Sequence, residues 1–292
     1  MSDPTPTSRT LLLPGELWPQ IQARTRHGLQ CGALQSIPTH ASTLADGGMA
    51  FVVRILDNLA RKQRAKQKQT KATADGKPFN PFLPYDQDLF VGDLSETHLC
   101  LLNKYNVVDH HILVVTRAFE SQERWLNQSD FHSIWRCLAE VDGLAFYNGG
   151  PVAGASQRHK HLQLIPTTVP VEAIMQFASQ GPQTLPALPF RHSAIALSPA
   201  GHEDPAAYLL NAYHQLLEAA GVAVMGDKQT AAYNLLLTRR WMLVVLRSQE
   251  AFASISVNAL GFAGSLFVRD EEQLQRLKSY GPMALLKQVA VV

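Results

Sequence analysis

The chain has 292 residues, of which 46% are hydrophobic and 17% charged, as in an ordinary globular protein with a sizeable core. Its formal net charge of +2 is too close to zero to predict a nucleic-acid or membrane partner. Cys31, Cys100 and Cys137 form no CxxC pair, which disfavours a disulfide framework and a cysteine-built zinc site. The polar N-terminus lacks the apolar segment of a signal peptide, and no apolar run reaches the roughly 18 residues that span a bilayer, so we expect a cytoplasmic protein.

The N-terminal half of the sequence predicts helices and strands in mixed order. Apolar residues at three and four spacing predict a helix within residues 12–30, and MAFVVRIL from Met49 predicts a strand. The basic run at residues 61–71 ends in a stretch rich in proline, which predicts an exposed loop. HHILVVT at residues 110–116 predicts a strand, and Asp130 is the predicted N-cap of an amphipathic helix.

The C-terminal half continues this mixture after a connection rich in proline and glycine near residues 170–190. Residues 204–221 predict a helix with Asp204 at its N-cap and glycine at its end. AAYNLLLTRRWMLVVLR, which ends at Arg247, predicts a strand hairpin, and the last 22 residues predict two helices separated by a Gly-Pro break. This meander-like order predicts an α+β fold with an antiparallel sheet.

The segment GASQRHKHLQLIP places His159, His161 and Gln163 at alternating positions after a turn rich in glycine and serine. Alternation is the period of a strand, so we expect these three side chains on one face of a short strand. The other face is predicted to carry Leu162, Leu164 and Ile165. The motif is compatible with exposed polar residues on an edge strand, with a metal site, or with an imidazole that attacks phosphorus. Gln163 is a poor metal ligand, which disfavours a metal site. The glycines of the turn let backbone N–H donors approach phosphate, so the motif favours attack on phosphorus over the other two interpretations.

The sequence around this motif resembles the transferase branch of the histidine-triad superfamily, and within it the ATP adenylyltransferases, also called diadenosine tetraphosphate (Ap4A) phosphorylases. The similar segments, in family order, are NPFLPY, HLCLLNKYNVVDHHILVVT, FESQ, LAFYNGGPVAGASQRHKHLQLIP, YNLLLTRRWMLVVLR and NALGFAGSLFV. The resemblance covers most of residues 49–292. It implies an α+β fold with an antiparallel sheet flanked by helices, a catalytic part at residues 1–175, and a C-terminal part at residues 176–292 that completes the nucleotide cleft.

The resemblance also implies roles for individual residues. His161 is the expected nucleophile, the His159 carbonyl is expected to hold one of its ring nitrogens, and Gln163 is expected to donate to a nonbridging phosphate oxygen. The residues expected to bind nucleotide or phosphate are Asn148, Gly154, Ala155, Ser156, Gln157, Lys62, Asn103 and Lys104.

For several basic residues, the sequence is compatible with either a phosphate-binding or a purely structural role. Lys104 either meets the polyphosphate or caps a strand on the surface, and Lys62 either binds phosphate or belongs to a solvated run. His110 and His111 are expected to position a strand end. The arginines of the predicted hairpin, Arg239, Arg240 and Arg247, are expected to be exposed or to reach phosphate.

The implied reaction is the reversible phosphorolysis of Ap4A to ATP and ADP through an adenylyl-histidine. The expected partners are these small molecules and phosphate, without nucleic acid or membrane, in a monomer or small homo-oligomer. No cofactor is expected beyond a magnesium ion that accompanies the nucleotide, and no metal site.

Three alternative functions are disfavoured by the sequence. Hexose-1-phosphate uridylyltransferases typically carry proline between the two histidines, where this chain has Lys160, and triad hydrolases have histidine at the position of Gln163. A nucleic-acid binder would rely on the basic run, but no motif of a known binding module accompanies it.

Overall fold

The computed structural model describes residues 11–56 and 80–292. The α-helices are α1 (Leu17–Cys31), α2 (Gln128–Glu140), α3 (Pro205–Ala219), α4 (Ala259–Phe262), α5 (Glu271–Tyr280) and α6 (Pro282–Val289). The first seven strands are β1 (Thr39–Asp46), β2 (Met49–Leu56), β3 (Phe90–Asp93), β4 (His98–Leu102), β5 (Ile112–Thr116), β6 (Leu144–Asn148) and β7 (His161–Ile165). The others are β8 (His192–Ala196), β9 (Tyr233–Leu237), β10 (Trp241–Leu246), β11 (Ala251–Phe252), β12 (Ile255–Ser256) and β13 (Ser265–Val268).

An eight-stranded antiparallel sheet organises the protein, in the order β3-β4-β5-β7-β6-β9-β10-β8. Strand β6 joins the N-terminal and C-terminal strands of this sheet, because it pairs with β7 on one side and with β9 on the other. The sheet therefore contains strands from both sides of residue 175, and the division of the chain there stays a prediction. A smaller sheet contains β1, β2 and β13.

The two faces of the large sheet are covered differently. Helices α1, α2 and α3 pack on one face, where Leu162 and Leu164 of β7 join their core. The small sheet and the C-terminal helices pack on the opposite face, together with Ile165. Ile165 was predicted on the face of Leu164, and this was wrong because the strand period separates neighbouring residues. By the same period, His161 and Gln163 share the face of Ile165.

The start of α2 corrects one sequence prediction. Asn127, not Asp130, is the N-cap, and its Oδ1 accepts from the N–H of Ser129 at 2.9 Å and of Asp130 at 3.1 Å. Asp130 occupies the third helical position and its Oδ2 accepts from the Asn127 N–H at 2.8 Å. The helix thus begins with a capping box, in which the acidic residue is the second partner instead of the cap.

Most other predicted elements are confirmed. Asp204 caps α3, the hairpin forms β9 and β10, and the Gly-Pro break separates α5 from α6. The basic run at 61–71 lies outside the described residues. Over the ranges that the structure describes, no helix has the length and apolar character needed to cross a membrane.

Candidate active site

A hydrogen bond joins the side chain of His161 to the main chain of His159. Strand β7 begins at His161, and His159 lies just before it, in an isolated bridge with Ser121. His161 Nδ1 lies 2.8 Å from the carbonyl oxygen of His159. A carbonyl can only accept, so Nδ1 carries the proton and Nε2 of the neutral ring keeps its lone pair. This is the contact that the resemblance implied.

His159 has no ring nitrogen free for chemistry. Its Nε2 donates to the Thr116 carbonyl at 2.8 Å, which leaves Nδ1 as the acceptor of the Asn80 amide at 3.0 Å. Burial lowers its pKa, so the neutral form with these two contacts is favoured. His159 therefore acts as a fixed support for His161.

The environment of His161 suits a nucleophile. The side chain is 5% exposed, and burial lowers its pKa to about 4, so the ring is neutral near pH 7. The ring of Phe82 lies 5.4 Å from that of His161, centroid to centroid, and 5.5 Å from that of His159. A neutral imidazole with an unprotonated Nε2 is the form that can attack phosphorus.

Gln122, which is not among the predicted site residues, fixes the backbone of His161. Its Oε1 accepts from the His161 N–H at 2.8 Å, while its Nε2 donates to the His161 carbonyl at 3.2 Å and to the Asn148 carbonyl at 2.9 Å. One buried amide thus joins the start of β7 to the end of β6. Gln122 ends the family-like segment FESQ, and Asn80 begins the family-like segment NPFLPY.

Gln163 contacts a histidine that was expected only to position a strand end. Its Oε1 lies 3.0 Å from Nε2 of His111, and Nδ1 of His111 lies 3.1 Å from Nδ2 of Asn103. Asn103 was predicted to contact phosphate, but its amide nitrogen faces His111. This contact leaves Nε2 of Gln163 as the amide group that can meet a ligand.

The turn before β7 engages two of the N–H groups that were predicted to cradle phosphate. The N–H of Gly154 donates to the Pro151 carbonyl at 2.9 Å, and the N–H of Ala155 donates to the Gly150 carbonyl at 3.1 Å. These two donors are therefore used to close the turn. Gly154 has φ +88°, and a Cβ there would lie 2.8 Å from the Val257 carbonyl, so only glycine fits.

Ser156 and Gln157, the next two residues, are better placed to receive a phosphate. Within residues 11–56 and 80–292, neither makes a hydrogen bond, and Ser156 is exposed. Their N–H groups and polar side chains are therefore the donors that the turn leaves available.

Asn148 at the end of β6 is held from the C-terminal half of the chain. Its Oδ1 accepts from Asn234 Nδ2 at 2.8 Å and from the Ala259 N–H at 2.9 Å, so its Nδ2 is the group left to meet a ligand. Asn234 Oδ1 in turn accepts from Arg247 at 2.7 Å.

The three hairpin arginines differ in exposure: Arg247 is buried, whereas Arg240 is exposed, as one of the two interpretations predicted. Arg247 is 4% exposed and donates to carbonyl groups that include those of Ala153 and Val257, at 3.2 and 2.9 Å. Burial lowers its pKa to about 10. Arg239 donates to the Ala139 carbonyl at 3.0 Å, and Arg240 pairs with Glu172 at 2.8 Å. The expectation that they reach phosphate is not met by these contacts.

Lys104, one of the two lysines predicted to bind phosphate, pairs with an acidic side chain. Lys104 Nζ lies 3.3 Å from Asp86 Oδ2, and both side chains are about one-third exposed, so a screened surface pair holds it. Lys62 lies outside the described residues.

Lys160, between the two histidines, points to the opposite face of the sheet. It is fully buried, and its Nζ forms an ion pair with Asp130 and donates to the Trp125 carbonyl at 3.0 Å. Asp130 also accepts from His98 Nε2 at 3.0 Å, and these contacts lower its pKa against the opposing effect of burial. The residue that separates the two histidines is therefore anchored to α2.

Among the described residues, one group offers three metal-ligand types close together: His27, Cys31 and Asp88. All three are exposed, and His27 Nε2 already lies 2.8 Å from Asp88 Oδ1. None of them makes a hydrogen bond with the histidines of the motif. The expectation that the protein needs no metal site stays a prediction.

Known proteins are similar to this chain in both sequence and fold. A model of the Ap4A phosphorylase N-terminal domain matches residues 7–177, and one of the ATP adenylyltransferase C-terminal domain matches residues 186–292. Diadenosine 5',5'''-P1,P4-tetraphosphate phosphorylase 2 of Saccharomyces cerevisiae is 29% identical over 73% of this chain and 76% of that protein. Protein APA1 of the same yeast is 23% identical over 91% of this chain and 90% of that protein.

Among solved structures, yeast Ap4A phosphorylase Apa2 in complex with Ap4A is 24% identical and superposes with a TM-score of 0.78, covering 96% of this chain and 98% of that chain. This similarity confirms the predicted α+β fold with its antiparallel sheet and flanking helices. The two domain models confirm the resemblance that the motifs suggested. Since the first model alone matches more than half of the sequence, the chain belongs to the Ap4A phosphorylase family.

Proposed function

We propose that the protein catalyses the reversible phosphorolysis of Ap4A to ATP and ADP, with His161 as the covalent nucleophile. The observation that carries this proposal is the hydrogen bond from His161 Nδ1 to the His159 carbonyl, at 2.8 Å. It leaves Nε2 of a buried, neutral imidazole free to attack. The yeast relative named as an Ap4A phosphorylase supports the choice of substrate.

In the first step, the Nε2 lone pair attacks one α-phosphorus of Ap4A. The bond from that phosphorus to its bridging oxygen breaks, ATP leaves with the electron pair, and AMP remains bound to His161. In the second step, an oxygen of inorganic phosphate attacks the same phosphorus, the P–N bond breaks, and ADP leaves. His161 then returns to its neutral form, so no net proton transfer to the ring is needed.

The other site residues support the transferred and departing phosphates. Gln163 donates from its free amide nitrogen to a nonbridging oxygen, and Ser156 and Gln157 bind the polyphosphate. Asn148 contributes its free Nδ2 beside the turn. Magnesium accompanies the nucleotide, and no other cofactor is required.

Gln163 also favours phosphate over water as the acceptor. An amide does not titrate in the working pH range, so it cannot take a proton from an attacking water. Phosphate carries its own negative charge and needs no such base. The adenylyl-enzyme should therefore be hydrolysed slowly and should react with phosphate when phosphate is present.

The decisive experiment is incubation with Ap4A in the presence and absence of phosphate, with the products separated by chromatography. We expect ATP and ADP with phosphate, and very slow turnover without it. Rapid formation of ATP and AMP in phosphate-free buffer would identify a hydrolase instead. A parallel incubation with UDP-glucose and a hexose 1-phosphate tests the uridylyltransferase alternative, for which we expect no conversion.

The proposed partners are small molecules only: Ap4A, ATP, ADP and phosphate. We place the protein in the cytoplasm as a monomer or small homo-oligomer, without a nucleic-acid partner. Size-exclusion chromatography with light scattering measures the oligomeric state directly.

A further inference from the structure

A second buried histidine lies directly beside the proposed phosphate-binding amide. His111 precedes β5, is 7% exposed, and reaches across to Gln163 on the neighbouring strand β7. Its carbonyl accepts from the backbone N–H of Asn103 at 2.8 Å, which joins it to the end of β4. The proposed mechanism assigns no task to this histidine.

The contacts of Asn103 determine which nitrogen of His111 carries the proton. Asn103 Oδ1 accepts from the Tyr105 N–H at 3.3 Å, which turns its Nδ2 toward His111 Nδ1 at 3.1 Å. An amide NH2 group can only donate, so Nδ1 of His111 accepts. A neutral imidazole has one N–H group, which must then be on Nε2. Burial lowers the pKa of His111 to about 4 and keeps the ring neutral.

The protonated Nε2 of His111 in turn determines how the Gln163 amide is oriented. The His111 Nε2–H group can only donate, and it lies 3.0 Å from Gln163 Oε1. With its oxygen held there, Gln163 must direct its NH2 group away from His111. The reverse orientation would set two N–H groups against each other in a buried site, which costs the full desolvation of an unpaired donor.

We propose that His111, set in one tautomer by Asn103, is a positioning residue that orients the Gln163 amide toward the transferred phosphate. The proposal rests on the proposed function of the site. It makes a chain of three residues, of which only the last touches the substrate. The chain supplies a donor whose direction is fixed before the phosphate arrives, which is the condition for stabilising charge in a transition state.

A double-mutant cycle tests whether His111 acts through Gln163. We expect Gln163→Ala to lower kcat about 100-fold, as for loss of one oxyanion donor, and His111→Leu to lower it about tenfold. The double variant should be no slower than Gln163→Ala alone. Losses that multiply in the double variant would overturn the proposal, because His111 would then act independently of the amide.

His111 also packs against Phe146, with 5.9 Å between the two ring centroids. Two further variants therefore separate its effect on the orientation of Gln163 from its effect on packing. His111→Gln keeps an N–H donor near Gln163 and should recover most of the activity that His111→Leu loses. His192→Leu is the matched control, because this histidine is 3% exposed and lies on β8 at the far edge of the sheet. It should leave kcat within about twofold of wild type after allowance for folded fraction. No recovery in His111→Gln would contradict the proposal.

Two readouts do not depend on turnover alone. The α-phosphorothioate diastereomers of Ap4A report on contacts to the nonbridging oxygens, and His111→Leu should shift their rate ratio toward that of Gln163→Ala. Nitrogen chemical shifts of His111 in the free protein should show the Nε2–H tautomer, which Asn103→Leu should mix with the other. A wild-type protein without Ap4A turnover would refute the proposed function. An Nδ1–H tautomer of His111 would refute this inference whether or not the enzyme is active.

Discussion

His159 holds Nδ1 of His161 with its backbone carbonyl, at 2.8 Å, and not with its side chain. The imidazole of His159 is instead tied to the Thr116 carbonyl and to Asn80. Substitution of the His159 side chain therefore leaves the acceptor of this hydrogen bond in the chain. What it removes is the support that keeps that carbonyl in position.

The two histidines should consequently differ in their response to substitution. His161→Ala should lose at least about 10³-fold in turnover, because the covalent route disappears with its nucleophile. His159→Ala should lose less, since the carbonyl remains. The measurement is steady-state release of ATP, together with trapping of labelled AMP on the protein. An acid-labile AMP adduct that persists in His161→Ala would show that another residue is the nucleophile.

Adenylylation should be nearly independent of pH in the range where an ordinary histidine titrates. The attacking form is the neutral ring, and the pKa of His161 is lowered to about 4, so the rate should fall only as the pH drops toward that value. Single-turnover release of ATP without phosphate isolates this step from the titration of the acceptor. A midpoint near the ordinary histidine pKa of about 6.5 would contradict this assignment.

The buried ion pair of Lys160 should be important for stability. Lys160→Met leaves the Asp130 carboxylate buried without its cation, and we expect a loss of about 3–5 kcal/mol in the free energy of unfolding. Arg276→Met removes one partner of the exposed pair with Glu272 and should cost less than about 1 kcal/mol. Urea denaturation of both variants makes the comparison. Equal, small losses would mean that Asp130 is satisfied by His98 and its capping role.

No structural zinc should be found in the purified protein. Burial raises the pKa of Cys137 to about 12 and that of Cys100 well above its ordinary value, and zinc binds the thiolate. Elemental analysis should give far less than one zinc per chain, and a chelator should leave the thermal unfolding temperature unchanged. If one zinc per chain is found, loss of it in Cys31→Ser would assign it to the exposed group with His27 and Asp88.

Periodicity predicted the elements of the fold well because local signals were strong. The cap of α3 at Asp204, the hairpin that ends at Arg247 and the break at Gly281 each have a clear residue signature. Asp130 was misplaced as a cap because an N-cap and the third helical residue share the same preference for acidic or amide side chains. Strand order could not be derived, since pairing of β6 with β9 joins residues far apart in the sequence.

The sequence pointed to the part of the candidate site that lies within one short segment, the motif that contains His159, His161 and Gln163. His159 and His161 lie two residues apart, and the contact between the His159 carbonyl and the His161 ring was implied by the family resemblance. Gln122, His111 and Asn234 reach the site from other strands and loops, and no spacing in the sequence brings them to it. Arg247 was misjudged because a hairpin arginine is usually exposed, whereas this one is surrounded by carbonyl groups.

The double pairing of β6 has a consequence for how the chain can be divided. The match to the first family model ends at residue 177, and the match to the second begins at residue 186. Removing the C-terminal segment would take β9 away from β6 and leave a row of unpaired N–H and C=O groups on β6. It would also take away Asn234, which orients Asn148. We therefore expect that neither segment folds as a self-sufficient module. The segments should melt together in one cooperative transition, and separately expressed fragments should regain structure only by completing each other's sheet.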